Sequence, residues 1–167
     1  MMRIQLRMKL VFFISLGLNI VSPVIAEPST NKAQALQAHN ILRAKDHQRP
    51  LQWSDDLENI SQKWAKQLAS SCKVYHHQGQ IPFGENIFYS SGPTTIGRAV
   101  STWGDEKKFF NYNYNTCQAG KQCGHYTQIV WKGTTDVGCA KQSCSNGSEI
   151  VVCSYFPAGN VVGARPF

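Results

Sequence analysis

Val137-Gly138-Cys139-Ala140-Lys141-Gln142 and Glu149-Ile150-Val151-Val152-Cys153-Ser154-Tyr155, joined across Ser145-Asn146-Gly147, form the stretch on which the fold turns. Both arms are short runs rich in apolar residues, and a three-residue loop with Gly at its end reads as a hairpin turn. Pairing Cys144 with Ser148 brings Cys139 opposite Cys153, close enough to bridge across two strands. The chain holds 6 cysteines, which allow 15 pairings if all are oxidised. Cys117 and Cys123 are near neighbours in a polar loop and close it locally. Elimination leaves Cys72 with Cys144, tying a helical part to the hairpin. No Cys-x-x-Cys pair occurs, so a structural zinc cluster is the weaker reading of these thiols.

Working back from the hairpin, apolar residues recur at helical spacing in three places. Ala35, Leu36, His39, Ile41 and Leu42 mark a helix that starts at Ser29, Thr30 or Asn31 and ends before Pro50. Leu57, Ile60, Trp64 and Leu68 mark a second, with Ser54 before it, Asp55, Asp56 and Glu58 in its first turn, and Cys72 after it. Ile96, Ala99, Val100 and Trp103 mark a third behind Thr94 or Thr95. Strands are expected over 86–89, 125–131, 137–142 and 149–155, and long loops over 73–84 and 111–124. Helices and strands are partly segregated, which favours a layered α+β domain over a doubly wound parallel sheet.

The amino terminus reads differently. Arg3, Arg7 and Lys9 precede an apolar run over 10–20, followed by Val24-Ile25-Ala26. That is the pattern of a secretory signal peptide over 1–26, leaving a domain over 27–167. Asn19 and Pro23 keep the run below the roughly 20 residues of a membrane span, and no later segment approaches that length. Removing the three leader cations lowers the formal charge from +7 to +4. The remaining Lys and Arg are scattered, which argues against a nucleic-acid partner. Export, and with it an extracellular location (or periplasmic in a bacterium), is also the setting in which six paired cysteines make sense. Asn59-Ile60-Ser61 and Asn146-Gly147-Ser148 are acceptor sequons for N-linked sugar.

Four polar residues stand where a bland domain would not put them. Glu106 follows Trp103 by three and extends the inward stripe of the third helix, where a carboxylate needs a partner. His125 opens an apolar strand, Glu85 sits between Gly84 and Asn86 at a strand entry, and His76 follows Cys72 closely. Two His and two Glu suit a divalent metal or a general acid/base pair. His39 reads as a structural hydrogen bonder, while His47 and His77 read as solvated. Gly-x-Ser-x-Gly, His-Glu-x-x-His and phosphate-loop patterns are missing from the chain.

Gly124-His125-Tyr126-Thr127-Gln128-Ile129-Val130-Trp131 and Ile150-Val151-Val152-Cys153-Ser154-Tyr155-Phe156-Pro157-Ala158-Gly159-Asn160 resemble the two signatures of the CAP superfamily, which spans cysteine-rich secretory proteins, insect venom antigens and plant pathogenesis-related proteins. His39-Asn40 with Arg43, Pro50-Leu51-x-Trp53 and Gly84-Glu85-Asn86-Ile87 match in order, and the six cysteines resemble the plant-type members best. The resemblance implies a three-layer α-β-α sandwich with three disulfides in the pairing above. It also implies a cleft lined by His76, Glu85, Glu106 and His125 that takes zinc or another divalent cation, with His77 one residue of slip from His76. Family members are linked to sterol or fatty-acid binding, defence, signalling through extracellular protein partners and, for a few, proteolysis. A non-enzymatic binding protein is therefore expected. The alternative is a metal-dependent hydrolase with a Glu as base. Phe109, Phe110, Tyr112 and Tyr114 are the candidate lipid contacts, and the last eleven residues resemble the tail that plant-type relatives release as a defence peptide, with Phe167 in place of Tyr.

Overall fold

Thr30, Ser54 and Thr95 each turn a side-chain oxygen onto the backbone amide three residues on, and each begins a helix. The three helices are α1 (Asn31–Lys45), α2 (Asp55–Ser71) and α3 (Ile96–Gly104). Cys72 closes α2 in the left-handed conformation at φ 51°, its amide reaching back to Leu68 O. The structure is a computed structural model that describes residues 30–167, so the expected leader over 1–26 and the domain start lie outside the described residues. Among the described residues no helix is long and apolar enough to cross a membrane.

The strands are β1 (Gln52–Trp53), β2 (Gly84–Ser90), β3 (Phe110–Asn111), β4 (Thr116–Cys117), β5 (Asp136–Ser143) and β6 (Glu149–Phe156). The main sheet runs β1-β5-β6-β2, with β1 parallel to β5 and the other pairs antiparallel. Cys139 faces Cys153 in this register, as the hairpin loop requires, and Cys144 donates its amide to Ser148 O at 2.8 Å. Gly147 takes φ +84° at the turn, a conformation that other residues adopt only at a cost. All three disulfides join the expected cysteines: 72 with 144, 117 with 123 and 139 with 153.

Alternation along β6 sorts the core into two halves. Val151, Cys153 and Tyr155 pack with Ala35, Ile96, Val100 and Trp103 on one face. Ile150 and Val152 pack with Trp64, Ala65 and Leu68 on the other. The sheet is thus covered on both sides, and β6 is buried from end to end but for Phe156. Helix α2 lies so close that a Cβ on Gly138 would meet Glu58 N at 2.1 Å. The result is the expected α-β-α sandwich, with α2 alone in one layer.

Three local expectations fail. The stretch expected as a strand over 125–131 is instead a short helix, α4 (Gly124–Ile129), so His125 opens a helix and not a strand. Its apolar content cannot distinguish a buried strand from a buried helix, and its first amides are held from elsewhere in the chain, as shown below. Helix α3 stops at Gly104, where a Cβ would press on Leu42 at 2.7 Å, so Glu106 lies in the 3-10 turn that follows (Asp105–Phe109). The polar stretch expected as loop over 111–124 includes β4 and the end of β3, a two-residue pairing with Phe110 opposite Cys117.

Candidate functional site

Glu85 enters β2 with its side chain only 3% exposed, and a carboxylate that deep must be satisfied. Two imidazoles do this. His76 Nδ1 donates to one oxygen at 2.7 Å and His77 Nδ1 to the other at 2.6 Å, and the His77 amide adds a third contact at 3.2 Å. His77 is also stacked on Trp64 with ring centroids 3.7 Å apart, so it is not the solvated residue expected. Nothing in the local sequence separates adjacent histidines. Their common partner, eight and nine residues downstream, becomes visible only when the loop closes.

The second pair has the same design. Glu106 accepts His125 Nδ1 at 2.6 Å, the His125 amide at 3.0 Å and the Tyr126 amide at 3.2 Å. The carboxylate therefore caps α4 from the preceding 3-10 turn and orients the first imidazole of that helix at the same time. The His125 ring lies nearly parallel to Trp103, 5.8 Å away. A carboxylate can only accept, so Nδ1 carries a proton in each His, and in the neutral ring the lone pair is on Nε2.

The two pairs meet across a cleft of about 310 Å³ between β2 and α4, lined by His76, Glu85, Asn86, Gln122, His125 and Asn160. Glu106 stands behind His125 and does not line it. The four expected residues are thus brought to one place, with His76, Glu85 and His125 lining it and Glu106 behind His125.

Asn86 connects this cleft to the core. Its Nδ2 donates to His125 O at 3.1 Å and to the Tyr155 hydroxyl at 3.2 Å, and that hydroxyl meets His39 Nε2 at 2.8 Å. His39 completes its bonding at Ala35 O, 2.7 Å from Nδ1. Burial pulls its pKa down to about 4, against the pull of that backbone bond, so His39 is neutral at pH 7. His39, Cys139 and Cys153 lie close enough together to suggest a metal centre. The two sulfurs are joined as a disulfide and both nitrogens of His39 are engaged, so neither a thiolate nor a free imidazole nitrogen is left there to ligate.

The four aromatic candidates divide. Phe110 packs on the core and lies 6.0 Å from the Tyr126 ring. Phe109 is half-buried, with Lys108 and Lys121 above its face at 5.0 and 5.1 Å. Tyr112 and Tyr114 stay exposed, at 46% and 77%. Tyr112 is stacked on Phe167 at 5.0 Å, so the carboxyl-terminal tail leans on this loop.

A family model described as the cysteine-rich secretory protein family, CAP, matches residues 36–155. The chain belongs to the CAP family. Within that family it is 44% identical over 133 residues to pathogenesis-related protein 1C of Nicotiana tabacum, covering 79% of this chain and 78% of the relative. It is 46% identical to pathogenesis-related protein PR-1 of Medicago truncatula, covering 81% of this chain and 79% of the relative. Among solved structures it resembles the Schistosoma mansoni venom allergen-like protein 4 at 25% identity and a TM-score of 0.66, over 84% of this chain and 95% of that one. It also resembles NaASP2, solved with Zn2+, at 26% identity and a TM-score of 0.66, over 82% and 84% of the two chains.

Proposed function

We propose that this CAP protein is an exported, non-enzymatic binding protein of the pathogenesis-related kind, whose cleft takes a divalent cation, zinc first, on His76 and His125. The observation that carries the reading is the double Glu–His arrangement. Each imidazole donates Nδ1 to a carboxylate and keeps Nε2 for a ligand, the pattern in which an outer acid fixes the tautomer and raises the basicity of a metal-binding histidine. Imidazoles so oriented, on the wall of one cleft, suit a divalent cation whose shell water or a partner's oxygen completes. Export has support from the paired cysteines and the leader pattern, and zinc from the Zn2+ in the NaASP2 structure.

The same contacts weigh against a hydrolase. Bound zinc would supply Lewis acidity, but a hydrolase also needs a free base beside it. Glu85 is occupied by two imidazoles and Glu106 by an imidazole and two amides. Calorimetric titration with zinc separates the outcomes. The wild type is expected to bind, and the His76→Ala/His125→Ala double variant to lose binding. Equal binding by both would show that the four residues are a polar network only. Zinc-dependent peptide cleavage abolished by Glu106→Gln would restore the enzyme reading.

A second binding reading concerns sterol or fatty acid at the aromatic loop, favoured by the exposure of Tyr112 and Tyr114. Binding that survives Glu106→Gln and falls on Tyr112→Ala/Tyr114→Ala supports it. Loss on Glu106→Gln with no effect of the tyrosines overturns it, and failure to bind any lipid leaves an extracellular protein partner as the better reading.

A further inference from the structure

The segment from 107 to 135 contains four lysines, and the tail from 157 to 167 one arginine, yet none of the chain's 10 acidic residues falls in either. The fold brings the two together. Arg165 donates to Tyr112 O at 2.7 Å and Asn113 O at 3.1 Å, Asn115 donates to Ala164 O at 3.1 Å, and the Arg165 guanidinium lies 5.7 Å from the centre of the Tyr112 ring. Cys117–Cys123 closes the other side of the lobe. Lys107 is paired with Asp46 at 2.5 Å. Lys108 and Lys121 instead converge on the ring of Phe109, and among the described residues neither is ion-paired with a carboxylate. Beside them opens a hollow of about 490 Å³ lined by Lys108, Phe109, Phe110, Tyr112, Thr116 and Gln118.

A cationic lobe with the exposed phenol of Tyr114 at its tip has a specific physical partner. Tyrosine prefers a boundary where its ring is dry and its hydroxyl wet, and lysine stems lie along apolar surface while the ammonium reaches out. Each Lys or Arg near an anionic bilayer strengthens attachment, and the attraction is screened within a Debye length. The mixed stretch of Lys, Tyr and Asn is too polar to insert deeply, so attachment is shallow and reversible.

We propose that this lobe docks the protein on the surface of an anionic lipid bilayer, Tyr114 entering the headgroup zone with Lys108 and Lys121 facing the charged headgroups. The proposal rests on the lipid reading of the aromatic loop and adds that recognition is of a charged surface and not of a lone lipid molecule.

Flotation of the exported protein with sterol-free vesicles tests it, comparing phosphatidylcholine alone with phosphatidylcholine carrying about one-third phosphatidylserine. Binding is expected on the anionic vesicles only, falling as salt rises. Each lysine removed, in Lys108→Gln and Lys121→Gln, is expected to weaken it about fivefold, and Tyr114→Ser to weaken it further. All three side chains are exposed, and unchanged thermal unfolding of the variants confirms that the fold is intact. Equal binding to both vesicles, indifference to the lysine substitutions, or binding to a sulfated glycan without binding to vesicles would each overturn the proposal. A separate sterol assay in detergent keeps the two readings apart. Sterol binding without a preference for anionic vesicles removes this inference alone. Binding to anionic vesicles without sterol binding removes the sterol reading alone.

Discussion

His39 and His125 lie on the two sides of Asn86, yet their surroundings are opposite. His39 is fully buried, and both its nitrogens are engaged, by Ala35 O and the Tyr155 hydroxyl. His125 keeps 22% of its side chain exposed and has one nitrogen bound to Glu106. The difference teaches that a histidine's capacity to bind is set by what is left over after the fold has used it. Nearby Arg43 follows the rule of the core. It is 1% exposed and spends its guanidinium on the carbonyls of Arg49, Ile129, Trp131 and Thr134, with no carboxylate paired to it among the described residues.

The sharpest way to break this contrast is Arg43→Met. It takes a donor from four carbonyls at once, three of them in buried contacts, and the expected loss is about 3–5 kcal/mol of unfolding free energy in a urea titration. Zinc affinity of the protein that remains folded is expected to hold. A loss below about 1 kcal/mol would mean that water replaces the guanidinium.

Next comes pH, measured with a chelator present. The pKa of His39 falls from an ordinary 6.5 to about 4 because burial penalises its charged form. The unfolded chain therefore binds a proton that the folded chain refuses, and stability is lost as pH falls from about 6.5 towards 4. The shift corresponds to about 3 kcal/mol between pH 7 and 4. His39→Gln is expected to be less stable at pH 7 and to lose most of this slope. An unchanged slope would place the proton elsewhere.

On the cleft side, Glu106→Gln is expected to reduce zinc affinity about 10- to 100-fold while leaving the molecule folded, since it removes the charge behind His125 and not the imidazole itself. An unaltered affinity would show that Glu106 serves only to cap α4. The smallest effect is expected at His47, which sits at φ 56° just after α1, with its amide on Ala44 O and the Gln48 amide on Arg43 O. His47→Gly is expected to raise stability by about 0.5–1 kcal/mol, read as a higher melting temperature, because glycine takes that conformation without strain. A destabilised His47→Gly would assign the imidazole a contact in solution.

Much of the frame was legible in the chain. The β5–β6 register follows from a three-residue loop and strict alternation, both local properties, and one disulfide pairing followed from it. Capping residues placed α1, α2 and α3 because a cap acts within one turn. Helix α4 was not legible. The carboxylate that holds its first amides comes from Glu106, nineteen residues upstream, and a run such as Tyr126-Thr127-Gln128-Ile129 has the composition of a strand until that carboxylate arrives. The four candidate site residues were named from their positions and from the family resemblance. Their arrangement as two carboxylate–imidazole pairs, with Glu85 shared by two rings, was not.

By itself, then, the sequence determined a layered α+β domain, the cysteine pairing and the identity of the polar residues that have no place in a plain core. These depend on side-chain periodicity, loop length and chemistry, which a linear string carries. Only the tertiary structure decided that His76 and His77 share Glu85, that Tyr155 silences His39, and that the tail lies against the aromatic loop. Each of those is a competition for one acceptor, one lone pair or one ring face between groups far apart in the chain, and its outcome exists only once folding has brought the competitors within 3 to 5 Å.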